Sequence, residues 1–597
     1  MGTGSYKALD LSTDVLVVGG GGAGFRAAIG AVERGVGVIL LSKGPLARSG
    51  ASPMAGADFT LDGRSMSEIE GLTGDPNDSP EKVYNDIVTQ GWYLNNRRLV
   101  DQYITAAPGC LKELIEWGID IKASDQRMIF TSGTKIMDVL LKRARAVGVT
   151  LIENVALLDL IVKDGRVVGG VALDVMTGDF LRIRARSVVM ATGGWHKAFE
   201  PTTGMRDLSG EGIAIAHNAG ADIGNMEFIT FCCNVFYDPP MWRGSIAPYM
   251  LSLIGGGRLT NNRGEDILAG YDPDVVRIGT TTEWNKSFLS YASTKEVAAG
   301  RGFKNGGVHY SRGDVSWDYM KMIGGFVFPN WRYKALDLTR WALMLEQNEP
   351  VEVGPAVEYF DGGIVVNERF ETTIQGLFAA GECCLGAFGA NRVFSAITEM
   401  LVQGRDAGRN AADYATKTVA SKPSTDTFAH YEGGILAPLE RKKGQSPTTL
   451  RCRVQEASHR HLGPIRTEKE LRAFIALLEG VKNNELPGLA VTGRTRAYNK
   501  EWLDALELPH IVHLLLAAAM SALARTESRG VHFRQDHPKT DNDTWLKESI
   551  VTCREGLLAV TTRPVTAGAD TLPAGSADYL DMMKRLMLSH SDTGGKH

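Results

Sequence analysis

The sequence predicts an α/β protein whose core is a Rossmann-like parallel sheet that binds a nucleotide. Three observations support this class: a βαβ pattern near the N-terminus, two later buried strands that run into glycines, and a charged helical pattern toward the C-terminus. The 597 residues, of which 44% are hydrophobic, can form two to four domains. We therefore expect a nucleotide-binding domain that is interrupted by an insertion and followed by a helical domain and a C-terminal region.

The stretch DVLVVGGGGAGFRAAIGAVERGVGVILLSK has the pattern of a complete βαβ unit. An apolar run precedes Gly19, Gly21 and Gly24, and an alanine-rich helix and a second apolar strand follow. Glycines at this spacing let the backbone approach a pyrophosphate, and the helix N-terminus offers free N–H groups to it. A simple NAD site would have an acidic residue at the end of the second strand. Ser42 and Lys43 occupy that place, so the pattern disfavours NAD.

Two later segments return to the same sheet after a long interruption. ARSVVMATGGW predicts a strand that leads into Thr192, and TTIQGLFAAGECC predicts one that ends at Glu382. The tail after Pro573 is polar and is expected to be mobile. The predicted organisation is a nucleotide-binding domain in two parts, 1–225 and 354–415, an insertion at 226–353, a helical domain at 416–540 and a C-terminal region at 541–597.

Composition disfavours several other classes. With 65 Lys and Arg against 69 Asp and Glu the formal net charge is -4, which does not suggest a nucleic-acid-binding protein. Seven cysteines without a CxxC or Cys/His cluster predict no disulfide scaffold, no metal site and a reducing compartment. The apolar run IVHLLLAAAMSALA is short and contains His513, so we expect a buried helix. The sequence thus predicts a cytoplasmic protein without direct membrane insertion.

Ordered motifs along the chain resemble the flavoprotein subunits of succinate dehydrogenase and fumarate reductase. They are VVGGGGAGFRAA, LLSKGPLARS, MATGGW, NMEFITF, TIQGLFAAGE and FGANR, with GRTRAYNKEWLDALELPHI and ARTESRGVHFRQDHPKTDNDTWLKES farther on. L-aspartate oxidase and the alpha subunit of adenylylsulfate reductase are similar relatives. The resemblance covers nearly the whole chain. It implies an FAD-dependent oxidoreductase in which the insertion forms a capping domain over the flavin.

The resemblance also implies which residues contact FAD. The set is Gly19, Gly21, Ala23, Gly24, Ser42, Lys43, Ser49, Gly50, Thr192, Gly193, Glu211, Glu382 and Ala396. Gly50 stands where many relatives have a histidine that is bonded covalently to the flavin, so FAD is expected to bind without a covalent link. The RSGA loop that contains Gly50 is similar to the corresponding loop of adenylylsulfate reductase.

The substrate side departs from the family pattern. The family's donors are replaced by Cys232, by Tyr249 and Met250, by Tyr291 at the position of the proton-donating arginine, and by Glu358 and Phe388 at two histidines. Only Arg392 remains. Charged hydrogen bonds to a substrate contribute about 1.5–3 kcal/mol each, so this pocket should not make an efficient fumarate reductase.

We take Arg392, Glu358, Tyr291, Tyr249 and Cys232 as candidate catalytic residues. Arg392 is expected to bind a substrate carboxylate through its planar guanidinium group. Glu358 is expected to act as a base or to receive a hydroxyl or ammonium group; the alternative is a salt bridge to Arg392, which would leave no anion site. The vicinal pairs Cys232-Cys233 and Cys383-Cys384 are either redox-active or, more simply, packing residues.

These features predict an FAD-dependent oxidoreductase that dehydrogenates or reduces a C–C bond in a carboxylate-bearing small-molecule substrate other than succinate or fumarate. Two alternatives remain open: sulfur chemistry like that of adenylylsulfate reductase, and an electron-transfer FAD subunit of a larger complex. The C-terminal TESRGVHFRQDHP stretch is similar to that of complex-forming relatives, which suggests an iron–sulfur protein partner.

Overall fold

The computed structural model describes residues 8–55, 58–327, 336–392, 394–419, 427–566, 568 and 572–591. The helices in these ranges are Gly22–Val32, Gly63–Ser67, Pro80–Gln90, Arg97–Glu116, Gly133–Ala146, Glu211–Asn218, Ala247–Gly255, Pro273–Thr281, Asn285–Ala298, Trp317–Val327, Thr339–Glu346, Ala396–Lys417, Thr427–Glu440, Pro447–His461, Glu468–Gly480, Lys500–Ala524, Asn542–Trp545 and Tyr579–Ser591. The strands are Ala8–Ser12, Val15–Val18, Val38–Ser42, Asp58–Thr60, Ala123–Asp125, Met128–Phe130, Thr150–Glu153, Val155–Lys163, Arg166–Asp174, Phe180–Arg184, Ser187–Met190, Ile223–Gly224, Ile229–Phe236, Arg258–Thr260, Val308–Ser311, Val351–Phe360, Gly363–Ile364, Leu377–Ala379, Ile465–Arg466, Phe533–Arg534, Lys539–Asp541, Lys547–Arg554, Leu557–Pro564 and Ser576–Asp578.

A five-stranded parallel sheet forms the centre of the nucleotide-binding region. Its strands lie in the order Leu377–Ala379, Ser187–Met190, Val15–Val18, Val38–Ser42 and Thr150–Glu153. Most of these strands are apolar and buried because helices cover both faces of such a sheet. The predicted α/β, Rossmann-like fold is therefore confirmed, and the strands' carboxyl ends define the edge where open parallel sheets bind ligands.

The inserted segment folds around a four-stranded antiparallel sheet. Its order is Ile229–Phe236, Val351–Phe360, Val308–Ser311 and Arg258–Thr260. The long strand Val351–Phe360 crosses the boundary predicted between residues 353 and 354. Glu358 lies near the end of this strand, between Val357 and Tyr359, which pair with the strand Ile229–Phe236.

The helix Lys500–Ala524 is long and apolar enough to cross a membrane by length and composition. Within its most apolar 18-residue window, however, 67% is buried inside the protein. It packs against the helices Glu468–Gly480, Pro447–His461 and Glu211–Asn218. The apolar composition of this helix is therefore explained by its position in the core of the protein.

The expectation that the tail after Pro573 is mobile is wrong for most of its length. Residues Tyr579–Ser591 form a helix. Its Tyr579, Met583 and Met587 side chains are buried in the same apolar core as the antiparallel sheet of the insertion. Lys584 also pairs with Asp272 of the insertion at 2.7 Å. The polar residues that suggested mobility lie on the exposed face of this amphipathic helix.

Candidate active site

The glycine-rich turn brings the backbone of two strands very close together. Gly19 has φ +120°, and a Cβ at this position would lie 2.0 Å from the carbonyl oxygen of Ala191. A Cβ at Gly24 would lie 1.8 Å from the carbonyl oxygen of Gly19. Gly21 is the N-cap of the helix Gly22–Val32. Only glycine fits these places, and the turn leaves a cradle at a helix N-terminus that suits a pyrophosphate.

The helix Ala396–Lys417 packs across the first helix of the βαβ unit. Ala23 is buried in this contact, where a Cβ at Gly404 would lie 2.4 Å from its carbonyl oxygen. Ala396 is the first residue of that second helix, directly after the N-cap Ser395. Both predicted FAD residues thus lie where the two helices meet.

Lys43, at the end of the second strand, is surrounded by acceptors. Its Nζ lies 2.7 Å from Glu211 and 2.8 Å from Glu507, and it donates to Ser209 Oγ at 3.0 Å. Burial lowers the pKa of Lys43, but the two carboxylates outweigh this effect and the net shift is upward. Next to it, Ser42 Oγ donates to the carbonyl oxygen of Gly44 at 2.8 Å. The structure thus brings Ser42, Lys43 and Glu211 together.

The strand end at Thr192 meets the strand end at Glu382. The Glu382 carboxylate accepts a hydrogen bond from the Gly194 N–H at 3.1 Å, and Gly193 has φ +72°. Burial raises the pKa of Glu382. His196 Nε2 lies 3.6 Å from Glu382 and 2.9 Å from the carbonyl oxygen of Glu358. These contacts connect the nucleotide-binding sheet to the strand that carries Glu358.

Position 50 is a glycine, so this loop offers no side chain there to the predicted FAD site. Gly50 has φ +74°, and a Cβ built on it would meet no atom within 4 Å. Its N–H donates to Asp207 at 3.0 Å, and Ser49 Oγ donates to the carbonyl oxygen of Pro45 at 3.0 Å. The backbone therefore adopts a left-handed conformation that favours glycine at the position of the family's flavin anchor.

Four charged side chains form what we call the substrate-side cluster: Glu283, Lys286, Glu358 and Arg392. Arg392 donates to Glu358 at 3.0 Å, so the salt bridge that the sequence left open as an alternative is present. Lys286 Nζ lies 3.3 Å from the same carboxylate and 2.5 Å from Glu283. The exposed fraction of these side chains rises from 2% at Lys286 to 37% at Glu283. Burial raises the pKa of Glu358, but Lys286 and Arg392 lower it further, to about 2. The cluster contains two basic and two acidic side chains, so its formal charges sum to zero.

Tyr249 and Cys232 lie beside this cluster, and the Tyr249 hydroxyl stays protonated. Burial raises the pKa of the Tyr249 hydroxyl well above its usual range, with Glu283 and Glu358 adding to the shift. Cys232 Sγ contacts the carbonyl oxygen of Cys233 at 3.6 Å, and burial raises the pKa of the Cys233 thiol. Cys383 and Cys384 are also buried free thiols with raised pKa values. A buried thiol with a raised pKa is a poor nucleophile, which favours packing as the role of Cys233, Cys383 and Cys384.

Tyr291 packs into an aromatic group outside the substrate-side cluster. Its ring contacts Phe533 edge-to-face at 4.7 Å and lies 5.7 Å from Tyr579. The cation on this helix that reaches Glu358 is instead Lys286, which sequence reasoning missed. The available signal was the Glu283-x-x-Lys286 spacing, which places an acid and a base side by side at a helix start.

Most of the C-terminal stretch that suggested a protein partner, from Glu527 to Arg534, is buried in the molecule. We call its ion pairs the C-terminal ion cluster: Glu227, Arg525, Glu527 and Arg529. Arg525 pairs with Glu227 at 2.7 Å and with Glu527 at 3.0 Å, and Arg529 pairs with Glu527 at 2.7 Å. Their side chains are at most 1% exposed. These side chains therefore hold the C-terminal region together and offer no surface to a partner.

The residues fit a dinucleotide such as FAD. The close glycines and the helix N-terminus suit the pyrophosphate, and Glu211 and Glu382 supply carboxylates that can accept from hydroxyl groups. Both polar atoms of the buried Asn391 side chain lack a hydrogen-bond partner among the described residues, and so does Arg392 Nε. Unpaired buried polar groups are costly, which indicates that a ligand completes this part of the site.

Comparison with known families assigns the chain. The model of the FAD binding domain matches residues 14–396, and that of the fumarate reductase flavoprotein C-terminal domain matches residues 451–578. The chain belongs to the flavoprotein superfamily of succinate dehydrogenase and fumarate reductase. The predictions of FAD as cofactor and of an FAD-dependent oxidoreductase are thereby confirmed.

Individual relatives cover most of this superfamily member. It is 29% identical over 545 residues to a subunit of the fumarate reductase (CoM/CoB) of Methanothermobacter marburgensis, covering 88% of this chain and 95% of the relative. It is 29% identical over 589 residues to the fumarate reductase flavoprotein subunit of Mycobacterium tuberculosis, covering 92% and 97%.

Solved structures share the fold. Sdh1 of Mycobacterium smegmatis, in complex with UQ1, superposes with a TM-score of 0.82 at 27% identity, over 94% of this chain and 95% of that one. Adenylylsulfate reductase from Archaeoglobus fulgidus superposes with a TM-score of 0.74 at 20% identity, over 95% and 98%. The second likeness shows a common fold only.

Proposed function

We propose that this flavoprotein reduces or dehydrogenates a C–C bond next to a single carboxylate, in a substrate other than succinate or fumarate. The observation that carries the proposal is the balance of the substrate-side cluster, with two cations, Arg392 and Lys286, against two carboxylates, Glu358 and Glu283. A dianion would meet no net positive charge there. A monoanion can share Arg392 and Lys286 with Glu358, because each cation has more than one N–H donor.

Arg392 orients the substrate. Its guanidinium lies 5.3 Å above the ring of Tyr359, and one of its nitrogens donates to the carbonyl oxygen of Phe394 at 3.2 Å. These contacts and Glu358 fix the plane of the guanidinium fork, which suits a two-oxygen group. Glu358 stays ionised because the pKa of its carboxyl is held near 2. Its permanent negative charge limits how much negative charge a bound substrate can carry.

Lys286 holds the proton that a reduction adds to the substrate carbon. Burial and Arg392 lower its pKa, but Glu283 and Glu358 outweigh them, so that the ammonium stays protonated. When bound, FAD supplies or accepts the two electrons. The Tyr249 hydroxyl, which also stays protonated, can donate a hydrogen bond to the substrate. Lys286→Met should abolish turnover, whereas Lys286→Arg should restore part of it because a guanidinium keeps the charge and the donor.

FAD is held without a covalent bond in this proposal, because Gly50 has no side chain to attach. Acid precipitation should release yellow flavin into the supernatant. Flavin colour and fluorescence that stay in the washed pellet would contradict this.

We also infer a second subunit, which is an iron–sulfur protein that exchanges electrons with the flavin. Support comes from the relatives, whose names call them subunits of fumarate reductases. The test is native purification from the source cell. A homogeneous flavoprotein that turns over with no second subunit or cluster would overturn this inference.

A reoxidation assay tests the substrate class. The reduced protein is mixed anaerobically with crotonate, cinnamate, fumarate or adenylylsulfate, and the return of flavin absorbance is timed. At least one monocarboxylate should reoxidise the flavin about tenfold faster than fumarate, since a charged hydrogen bond is at stake. Fumarate as the fastest oxidant would overturn the proposal. A response to adenylylsulfate alone would favour sulfur chemistry, and a response only to a protein partner would favour an electron relay.

A further inference from the structure

The adenosine side of the predicted FAD site contains a carboxylate from a distant part of the chain. In dinucleotide-binding βαβ units, an acidic residue at the end of the second strand accepts from the ribose hydroxyls. Lys43 stands at that place here, and its ammonium is bonded to Glu507 of the helix Lys500–Ala524, 464 residues away in sequence.

The Lys43 ammonium has one acceptor for each of its three N–H donors. Glu211 accepts at 2.7 Å, Glu507 at 2.8 Å and Ser209 Oγ at 3.0 Å. An ammonium with three filled positions has no donor left for a ligand. Lys43 therefore orients its neighbours. Among the described residues, the second oxygen of Glu211 accepts only from Ser209 Oγ, at 2.5 Å, so this carboxylate keeps lone pairs for a ligand.

Glu507 is held in place from its other side. Its second carboxylate oxygen lies 2.5 Å from Lys197 Nζ, and Asp504, one turn earlier on the same helix, lies 2.6 Å from that same nitrogen. Glu507 is 4% exposed. Asp504 and Glu507 both pair with Lys197, but of these two carboxylates only Glu507 also pairs with Lys43. Asp504 therefore serves as a control for Glu507.

We propose that Glu507 is a positioning residue for the adenosine half of FAD, which acts by holding Lys43 and, through Lys43, the carboxylate of Glu211. Without Glu507, the buried ammonium would lack one acceptor and would draw more strongly on Glu211, which would then be less available to the ribose hydroxyls. This inference goes beyond the proposed function and rests only on FAD as the cofactor.

The experiment measures the Kd of FAD for the apoprotein by quenching of flavin fluorescence. Glu507→Gln should weaken FAD binding about tenfold or more, as expected for a lost charged hydrogen bond. Asp504→Asn should leave the Kd near that of the wild type. Lys43→Met should weaken binding as Glu507→Gln does, and the double variant should be no weaker than Lys43→Met alone, because both changes remove one linkage.

Three results would overturn the proposal: an unchanged Kd in Glu507→Gln, an equal loss in Asp504→Asn, or additive losses in the double variant. The last two would assign Glu507 a purely structural role. If Glu507→Gln does not fold, Glu507→Asp keeps the charge and shortens the side chain by one methylene. That variant should still weaken FAD binding, and a wild-type Kd in it would equally overturn the proposal.

Discussion

The C-terminal ion cluster and the substrate-side cluster use the same chemistry in different surroundings. In the first, Arg525 and Glu527 are fully buried, and every charge lies within 3.0 Å of an opposite one. In the second, the exposed fraction of the side chains reaches 18% at Glu358 and 37% at Glu283, and Arg392 Nε has no partner among the described residues. The comparison teaches that complete pairing marks a structural network, and that incomplete pairing marks a place for a ligand.

The largest expected effect is on stability, in the C-terminal ion cluster. Glu527→Gln leaves Arg525 and Arg529 buried with less compensation, and should lower the free energy of unfolding by about 3–5 kcal/mol. Urea denaturation measures this. Asp274→Asn, which removes a pair with Arg277 that is about half exposed, is the control and should change it by less than about 1 kcal/mol. Equal effects of the two changes would show that Glu527 stabilises the protein no more than an exposed ion pair does.

The next effect is on turnover, in the substrate-side cluster. Arg392→Lys keeps the charge but loses the guanidinium fork, and should reduce turnover of the true substrate about 100-fold or more. FAD content and the free energy of unfolding should stay near wild-type values. Unchanged activity would show that Arg392 only stabilises its neighbours and that there is no anion site at this position.

A smaller effect concerns the charge that the site accepts. Glu358→Gln gives the substrate-side cluster a net positive charge, and should tighten binding of the dicarboxylate malonate about tenfold. Titration of the flavin absorbance with malonate measures it. Glu283→Gln changes the net charge equally but at a more exposed group, where water and salt screen it, so its effect should be smaller. The reverse order would contradict the roles given to these carboxylates.

The smallest effect is a pH dependence from Asp361, a buried carboxyl that accepts from Thr230 at 2.7 Å and lacks an ion pair among the described residues. Burial raises its pKa to about 8, whereas in the unfolded chain it ionises near pH 4. The folded state therefore binds more protons over this interval, and its contribution to stability falls as the pH rises from 4 to 8. Between pH 7 and pH 8 the free energy of unfolding of the wild type should fall by about 1 kcal/mol because of Asp361, and Asp361→Asn should lack this decrease. An identical pH dependence in both proteins would argue against a neutral Asp361.

Local signals in the sequence predicted the nucleotide-binding region well. The glycine spacing and the apolar strands determine the βαβ unit through contacts between near neighbours, and the ordered motifs indicated FAD and the superfamily. Lys286 and Glu507 were missed because their importance depends on packing against residues far away in sequence. Counting from a motif gave Tyr291, whereas the helix presents Lys286, five residues earlier, to Glu358. The catalytic roles of Arg392, Glu358, Tyr291, Tyr249 and Cys232, and the individual FAD contacts, stay predictions.

The helix Tyr579–Ser591 has a consequence for how the protein is made. The apolar core beneath the antiparallel sheet of the insertion contains residues that are far apart in sequence, from Trp92 to Met587. During synthesis, the nucleotide-binding strands can pair once residue 379 has left the ribosome, but the core of the insertion lacks its last apolar layer until Tyr579–Ser591 has been made. The newly made insertion therefore exposes apolar surface while more than 200 further residues are synthesised. Chaperone demand should therefore be highest for the inserted segment, and loss of the helix Tyr579–Ser591 should destabilise that segment although the two are far apart in sequence.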